Sequence, residues 1–356
     1  MKTINQHRAE IDRIDNEILK LLDERMLHVK DIGKLKQISA TSIYRPEREK
    51  EIIDRLKSQN LTVLQTPAIE AIYSEIFAIS RNLELPEKVA FLGPEGSYSH
   101  QAAQRKFGAL VSYLPLNLIE AVFSTLKNKE TKYGVVPIEN NTEGAVGVTL
   151  DCLGQYENVK IVAEMYMDIH HSFATFAENI KEVKRIYSHP QGYNQCRKFL
   201  ESHLLLDLEF IPAKSTATAA QLASQEKSAA AICSQIAAKL FNIPVLFNKI
   251  EDNLANKTRF LILSDFKNDP TTNDKTSIFA KTENRPGALV ELLQSFQSNR
   301  INLTKIESRP LKGESFESVF YLDFEGHIDD ENVQKTLNEN KDKHEIIWLG
   351  SYNKAL

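Results

Sequence analysis

Cysteine is scarce: Cys152, Cys196 and Cys233 stand far apart, and none belongs to a CxxC pair. A disulfide framework is excluded, a zinc site has little support, and reduced thiols in a cytoplasmic protein are expected. No apolar run approaches the ~20 residues of a membrane helix. The opening MKTINQHRAEIDRIDNE lacks the apolar core of an export signal, so neither membrane nor secretion is expected. Neither sign of charge dominates: 44 basic against 48 acidic side chains leave −4, which excludes a global basic field for nucleic acid. G-x-S-x-G, H-E-x-x-H and a magnesium-type aspartate cluster are all missing, so no metal and no cofactor is expected. Tandem His170-His171, read as strand residues, would face opposite ways, which argues against a shared metal.

What is present divides in three. At 356 residues the chain is too long for one ordinary core. Only Gly33 of the thirteen glycines precedes residue 85. That stretch reads as a long amphipathic helix with Ile11, Ile14, Ile18, Leu21, Val29, Ile32 and Leu35 on its apolar stripe. A helix opening at Pro46 and another at Thr66-Pro67 follow. A helix ~50 Å long cannot bury its stripe against two short ones, so a partner chain is expected. From Val89, short apolar runs (VAFLG, YGVVPI, IVAEMYM, RIYS, AAAICS, RFLILS) alternate with helical patterns. They predict an α/β domain over 88–266 with largely parallel sheets, of a length suited to two lobes around a cleft. KNDPTTNDK reads as a linker. Residues 276–356 follow the βαββαβ plan of a ferredoxin-like module.

Several residues have chemistry worth following. Arg25 and Lys36 lie eleven positions apart on one helical line, ~16 Å, and two cations at that spacing can lean on one small dianion. Arg8, about 100° round the helix and ~25 Å away, can join them only from a partner chain. GPEGSYSH follows a strand and opens a helix, a place where backbone N–H groups meet carboxylate or phosphate, although a turn capped by serine fits equally well. VPIENNTEG, SHPQ with Gln195, and NKTRF supply further polar turns at strand ends, where open α/β sheets place ligands. In the last module Gly287 frees N–H groups at a helix start, while Leu289, Leu292, Leu293 and Phe296 form a core stripe.

Residues 4–84, through HRAEIDRIDNEILKLLDERMLHVKDIGKLK and YRPEREKEIIDRL, resemble the all-helical chorismate mutase family. That resemblance implies an intertwined dimer lined by cations from both chains, with Arg8, Arg25, Lys36, Arg48, Glu49, Ser80 and Glu84 at the site. Arginines would clamp the carboxylates of chorismate, and Lys36 and Glu84 would steady charge on the breaking ether oxygen. Glu84 replaces the glutamine of many relatives and donates only when protonated. Arg45 stands where relatives often carry aspartate.

Residues 88–266, through GPEGSYSHQAA, VPIENNTEG, SHPQ, STATAA and NKTRF, resemble the prephenate dehydratase family. The resemblance implies two lobes like those of periplasmic binding proteins, with Thr258 as donor to the leaving hydroxyl. It also implies Ser97, Glu139, Asn140, Ser188, Gln195, Arg259 and Phe260 around the substrate. NRPGALV and ESRP resemble the ACT regulatory domain. They imply an L-phenylalanine site between subunits involving Gly287, Ala288, Leu289, Val290, Glu307, Ser308 and Arg309. Together the resemblances imply a homo-oligomeric bifunctional enzyme taking chorismate to prephenate and prephenate to phenylpyruvate, inhibited by L-phenylalanine. Alternatives are a dehydratase whose helices serve only dimerisation, arogenate in place of prephenate, and a non-catalytic amino-acid sensor.

Overall fold

The computed structural model describes residues 3–39, 46–59, 62–84, 88–108, 111–283, 285–310 and 318–355. Arg45, Asn284 and the side chain of Glu84 lie outside them. Two compact units divide the chain: residues 1–87 with 106–112, and residues 88–105 with 113–356.

The first unit holds α1 (Ile4–Ser39), α2 (Pro46–Lys57) and α3 (Thr66–Glu84). Acidic Glu47 and Glu49 in the first turn of α2, with Arg55 and Lys57 in its last, complement the helix dipole. Lys57 reaches Glu70 of α3 at 2.6 Å. Val29, Ile69, Phe77 and Ala78 are buried, whereas Ile11, Ile14, Ile18, Leu21, Ile32 and Leu35 of α1 are exposed. With 36 residues, α1 is about 54 Å long at ~1.5 Å per residue.

Beyond the helices comes a lobe of β1 (Lys88–Leu92), α4 (Tyr98–Phe107), β2 (Ser112–Leu116), α5 (Ile119–Lys127), β3 (Tyr133–Asn140), β4 (Gly144–Ala145), α6 (Gly147–Gln155) and β5 (Lys160–Asp168). The chain then builds a second lobe from β6 (Ser172–Thr175), β7 (Arg185–Ser188), α7 (Pro190–Asn194), α8 (Arg197–Ser202), β8 (Glu209–Pro212), α9 (Thr216–Ala223), β9 (Ala229–Cys233), α10 (Gln235–Leu240) and β10 (Val245–Asn248). It returns as β11 (Lys257–Ser264) into the middle of the first sheet, whose order is β2-β1-β3-β11-β5 with β4 beside β3. The returning strand runs antiparallel to both β3 and β5. In the second sheet β7 is parallel to β8 and β9, but β6 is antiparallel to β9 and β10. The expectation of largely parallel sheets is therefore corrected: both are mixed, because strands next to the two crossings run opposite to those linked by helices.

The last module is β12 (Asp274–Thr282), α11 (Ala288–Ser298), β13 (Leu303–Pro310), β14 (Ser318–Glu325), α12 (Glu331–Asn340) and β15 (His344–Asn353), in sheet order β13-β14-β12-β15. One face of this sheet packs Ile278, Leu322 and Phe324 with Leu292 and Phe296 of α11 and Val333 of α12. Its other face sends Phe279, Tyr321, Leu349 and Tyr352 into one core with Val136, Leu150, Ile161 and Leu261 of the first lobe. Gly350 permits the close approach: a Cβ there would sit 2.1 Å from the carbonyl oxygen of Ile161. KNDPTTNDK is not a loose linker, since buried Asn268 donates to the carbonyls of Val162 and Ser351 at 2.9 and 2.8 Å.

A buried charge cluster fixes that packing. Arg259 of β11, 2% exposed, donates through Nε to Glu164 at 2.8 Å, through NH1 to Asp323 at 2.6 Å and through NH2 to the Tyr352 hydroxyl at 2.9 Å. Lys275 donates to both oxygens of Glu164, at 2.7 and 2.9 Å. Ser277 donates to the second oxygen of Asp323 at 2.6 Å. Two cations and two carboxylates cancel, and removing one would strand the others without water. Asp323→Ala is therefore expected to cost about 3–5 kcal/mol in equilibrium urea unfolding, and a loss below ~1 kcal/mol would show the cluster to be dispensable.

Candidate active sites

In the helical unit one cavity of about 520 Å³ is lined by Arg25, Lys36, Arg48, Glu49, Ser80 and Arg81, with Val29, Ile32, Ile52 and Phe77 among its apolar walls. The helical spacing of Arg25 and Lys36 thus brings both onto one hollow. Arg25 donates to Ser80 Oγ at 2.6 Å, and Ser80 in turn donates to the Ile76 carbonyl at 2.7 Å. Arg48 pairs with Glu51 at 2.8 Å. Arg81, which sequence reasoning missed, forms an ion pair with Glu49 and is buried. Its signal was faint: it adjoins Ser80 in a helix, where consecutive residues do not normally serve one face. Arg8 is exposed and does not line the cavity. Glu84 lies in α3, with its side chain outside the described residues. A volume of this size suits a small organic dianion.

In the α/β domain the structure gathers Asn140 at the end of β3 with Asn256 and Thr258 at the start of β11. Asn140 Nδ2 donates to Asn256 Oδ1 and to Thr258 Oγ1, both at 2.8 Å. Its Oδ1 accepts from the backbone N–H of Thr142 at 2.9 Å, which fixes the amide's orientation. Thr258 therefore accepts one strong hydrogen bond and keeps its own proton to give. An accepted bond polarises a hydroxyl toward donation.

Other residues expected at the site make contacts of their own. Glu139 pairs with Lys305 of the last module at 2.8 Å, and Arg259 is the buried hub described above. Strand alternation turns both away from Asn140 and Thr258. Phe260 is 1% exposed and belongs to the core. Ser97 is spent on a helix start: its hydroxyl donates to the Leu92 carbonyl at 3.0 Å and accepts from the N–H of His100 at 3.2 Å. Ser188 is fully buried and donates to the carbonyl of His189 at 3.0 Å.

Gln195 belongs to a network at the crossings between lobes. His171 Nε2 lies 2.9 Å from Gln195 Oε1, and its Nδ1 lies 2.8 Å from the Tyr98 hydroxyl, which also donates to the His170 carbonyl at 2.9 Å. Glu251 accepts from the His171 backbone N–H at 2.8 Å and meets His170 Nδ1 at 2.6 Å. The tandem histidines thus sit in a crossing segment rather than a strand, joined through one carboxylate. Residues missed by sequence reasoning, Tyr98, His171 and Glu251, tie the two lobes together.

In the last module Gly287 adopts φ +86 at the start of α11. Ala288 is buried and Leu289 packs toward the core, while Val290 is exposed. Along β13, Lys305, Glu307 and Arg309 are half-buried, whereas Ile306 and Ser308 on the opposite face are exposed. Within one chain, then, Ser308 does not converge with Glu307 and Arg309, again because a strand alternates. Arg309 donates to Asp151 of α6 at 2.9 Å.

Burial holds the His171 pKa below its ordinary 6.5, outweighing the Gln195 hydrogen bond and the Glu251 charge, while His170 adds to the lowering. Because folding disfavours the proton, the stabilisation is complete above ~6.5 and is lost as pH falls from there toward the depressed folded value. Thermal melts should show a falling midpoint between about pH 7 and 5. The slope should be shallower in His171→Gln, yet not flat, because burial depresses His100 and His344 too. Parallel slopes would remove His171 as a source.

Family models match three consecutive segments: chorismate mutase type II over residues 7–85, prephenate dehydratase over 89–268, and the ACT domain over 276–342. The bifunctional chorismate mutase/prephenate dehydratase of Aquifex aeolicus (strain VF5) is 40% identical across 100% of this chain and 99% of its own length. That of Pseudomonas aeruginosa is 38% identical across 98% and 97%. The crystal structure of the prephenate dehydratase of Arthrobacter aurescens in complex with L-Phe is 31% identical with TM-score 0.68, covering 75% of this chain and 90% of that one. The same TM-score of 0.68, at 25% identity, is reached by GqqA, a quorum-quenching acylase, so likeness of fold does not by itself select the chemistry. The full-length relatives do select it: with three domains in the same order and this identity from end to end, the chain belongs to the family of bifunctional chorismate mutase/prephenate dehydratases.

Proposed function

We propose that this bifunctional enzyme rearranges chorismate in the helical cavity and converts the resulting prephenate to phenylpyruvate beside Thr258. The rearrangement breaks one C–O bond and forms one C–C bond in a concerted shift. It needs no nucleophile, only confinement of the reactive conformer and relief of charge on the ether oxygen. Arg25 and Arg48 would hold the carboxylates, with Ser80 fixing the Arg25 guanidinium. Lys36 would face the ether oxygen, and Glu84 would assist when protonated. Arg8 would enter from a second copy of the chain.

For the second reaction, decarboxylation sends an electron pair into the ring and expels the ring hydroxyl, which leaves as water once protonated. Aromatisation supplies the driving force. A threonine in this position serves by aiming a hydrogen bond at the departing oxygen. The observation that carries the reading is the bond from Asn140 Nδ2 to Thr258 Oγ1 at 2.8 Å, which leaves the Thr258 proton directed away from Asn140. Gln195, held at His171, would contact the substrate from the other lobe.

L-phenylalanine is proposed as the inhibitor, bound at the last module with Gly287 and the exposed Val290 and Ser308 facing a second subunit. The exposed stripe of α1 supports homodimerisation, since Ile11, Ile14, Ile18 and Leu21 repeat at alternating three- and four-residue steps, the seam of a helix–helix partner. No described helix is long and apolar enough to cross a membrane. Cys152, Cys196 and Cys233 are all buried and suit a reducing cytoplasm.

Purified protein fed chorismate should form prephenate and then phenylpyruvate, with the second step suppressed by L-phenylalanine. Thr258→Ala should lower dehydratase turnover about a hundredfold while the mutase step persists, and near-native turnover would remove Thr258 from its role. Light scattering should give the mass of two chains or a multiple. Ile14→Lys with Leu21→Lys should dissociate the helical pairing, and an unchanged assembly would place the dimer contact elsewhere.

A further inference from the structure

On the face of the dehydratase domain opposite Thr258, β13 of the ACT module grips the β3–β4 hairpin. Lys305 of β13 binds Glu139 at 2.8 Å, and the same ammonium lies 4.0 Å from Glu307. Two positions beyond Glu307, Arg309 binds Asp151 at 2.9 Å. Its guanidinium occupies the space that a Cβ on Gly147 would enter, with NH2 2.7 Å from that position. These two contacts seize the two ends of one short hairpin. Glu139 and Asn140 of β3 pair with Ala145 and Gly144 of β4, and α6 starts at Gly147 immediately beyond.

Asn140 is the residue that orients Thr258, and it follows Glu139 directly. We infer that Lys305 is a positioning residue for the dehydratase reaction. By holding Glu139 it fixes the β3–β4 hairpin so that the Asn140 amide aims the Thr258 hydroxyl, and it places that aim under the control of the strand carrying Glu307 and Arg309. The claim rests on the proposed role of Thr258.

The two carboxylates compete for one ammonium. A cavity of about 330 Å³, lined by Glu139, Lys275, Arg259, Asp323 and Lys305, lies beside the ammonium, so Lys305 can leave Glu139 without repacking the core. A ligand that draws β13 or Glu307 toward itself would shift Lys305 from one carboxylate to the other. The hairpin would then lose its anchor, and turnover would fall with little change in substrate affinity.

The test is steady-state kinetics of the full chain. Lys305→Met should lower dehydratase kcat about tenfold, the scale of a small misplacement of a reacting group, while KM for prephenate stays within about threefold. Mutase turnover should be unchanged, which also reports that the variant is folded. The charge exchange Glu139→Lys with Lys305→Glu should recover most of the lost kcat, a rescue that a merely space-filling role does not produce. L-phenylalanine should inhibit the wild type strongly and the Lys305→Met variant weakly. Native kcat in Lys305→Met, or no recovery in the exchange, overturns the inference. Inhibition of that variant as strong as in the wild type overturns the regulatory half. A wild type that turns over prephenate yet ignores L-phenylalanine would defeat the effector reading and leave the positioning claim to the kcat comparison. If Thr258→Ala were native while Lys305→Met was slow, the failure would lie in the role of Thr258.

Discussion

Successive side chains of a strand face opposite ways, and the dehydratase domain uses that constraint at one place. Where β3 ends and β11 begins, Asn140 and Thr258 turn to one side while Glu139 and Arg259 turn to the other. One side carries the Thr258 hydroxyl, proposed to meet the substrate. The other carries charges committed to the ACT module, through Lys305 and Asp323. Two adjacent residue pairs therefore serve two different domains, and neither pair can shift without moving its neighbours along the backbone. A hairpin that is edge structure in sequence terms would then be the joint between chemistry and regulation.

The joint is rigid because of what is buried behind it. Taking Arg259, Lys275, Glu164 and Asp323 out of water is expensive, and their mutual attraction repays that cost only with near-ideal geometry. Tyr352, Ser277 and Tyr321 supply the remaining hydrogen bonds. Burial pushes both tyrosine pKa values well up, so the hydroxyls remain neutral. An apolar interface of the same area would tolerate sliding, whereas this one defines a single docking register. Phe279, Tyr321 and Leu349 share the first lobe's core, which leaves the partly exposed edge strand β13 as the element of the ACT module with most freedom to respond.

Much of this was legible in the sequence. Glycine scarcity and the Ile-Leu stripe located the helices, Pro46 and Thr66-Pro67 marked two starts, and apolar runs located the strands that form the sheets. The helical line through Arg25 and Lys36 needed only the 1.5 Å rise to place both on one cavity. Strand direction was not legible, because an antiparallel strand returning from the second lobe has the same apolar composition as a parallel one. The orientation of Glu139, Arg259 and Ser308 was within reach of period-two alternation, but family motifs are contiguous strings, and a contiguous string on a strand spans both faces. Arg81 and the Tyr98–His171–Glu251 network depend on contacts between segments far apart in the chain, which no local pattern encodes.

The opposite facing of Arg259 also makes chemical sense. A cation against the carboxylate that departs as carbon dioxide would stabilise the charged ground state more than a transition state in which that charge flows into the ring. Tight binding of that kind lowers KM at the expense of kcat. A neutral donor would avoid this: Thr258, held by Asn140, would donate to the leaving oxygen, where electron density accumulates, and leave the departing carboxylate unopposed. The rearrangement makes the contrary demand. No group leaves, both carboxylates persist through the transition state, and the ether oxygen gains charge, so arginines and a lysine assist at every point. On the proposed chemistry, cations lining the helical cavity and neutral donors beside β11 would be two answers to one dianionic intermediate, set by whether its carboxylate must stay or go.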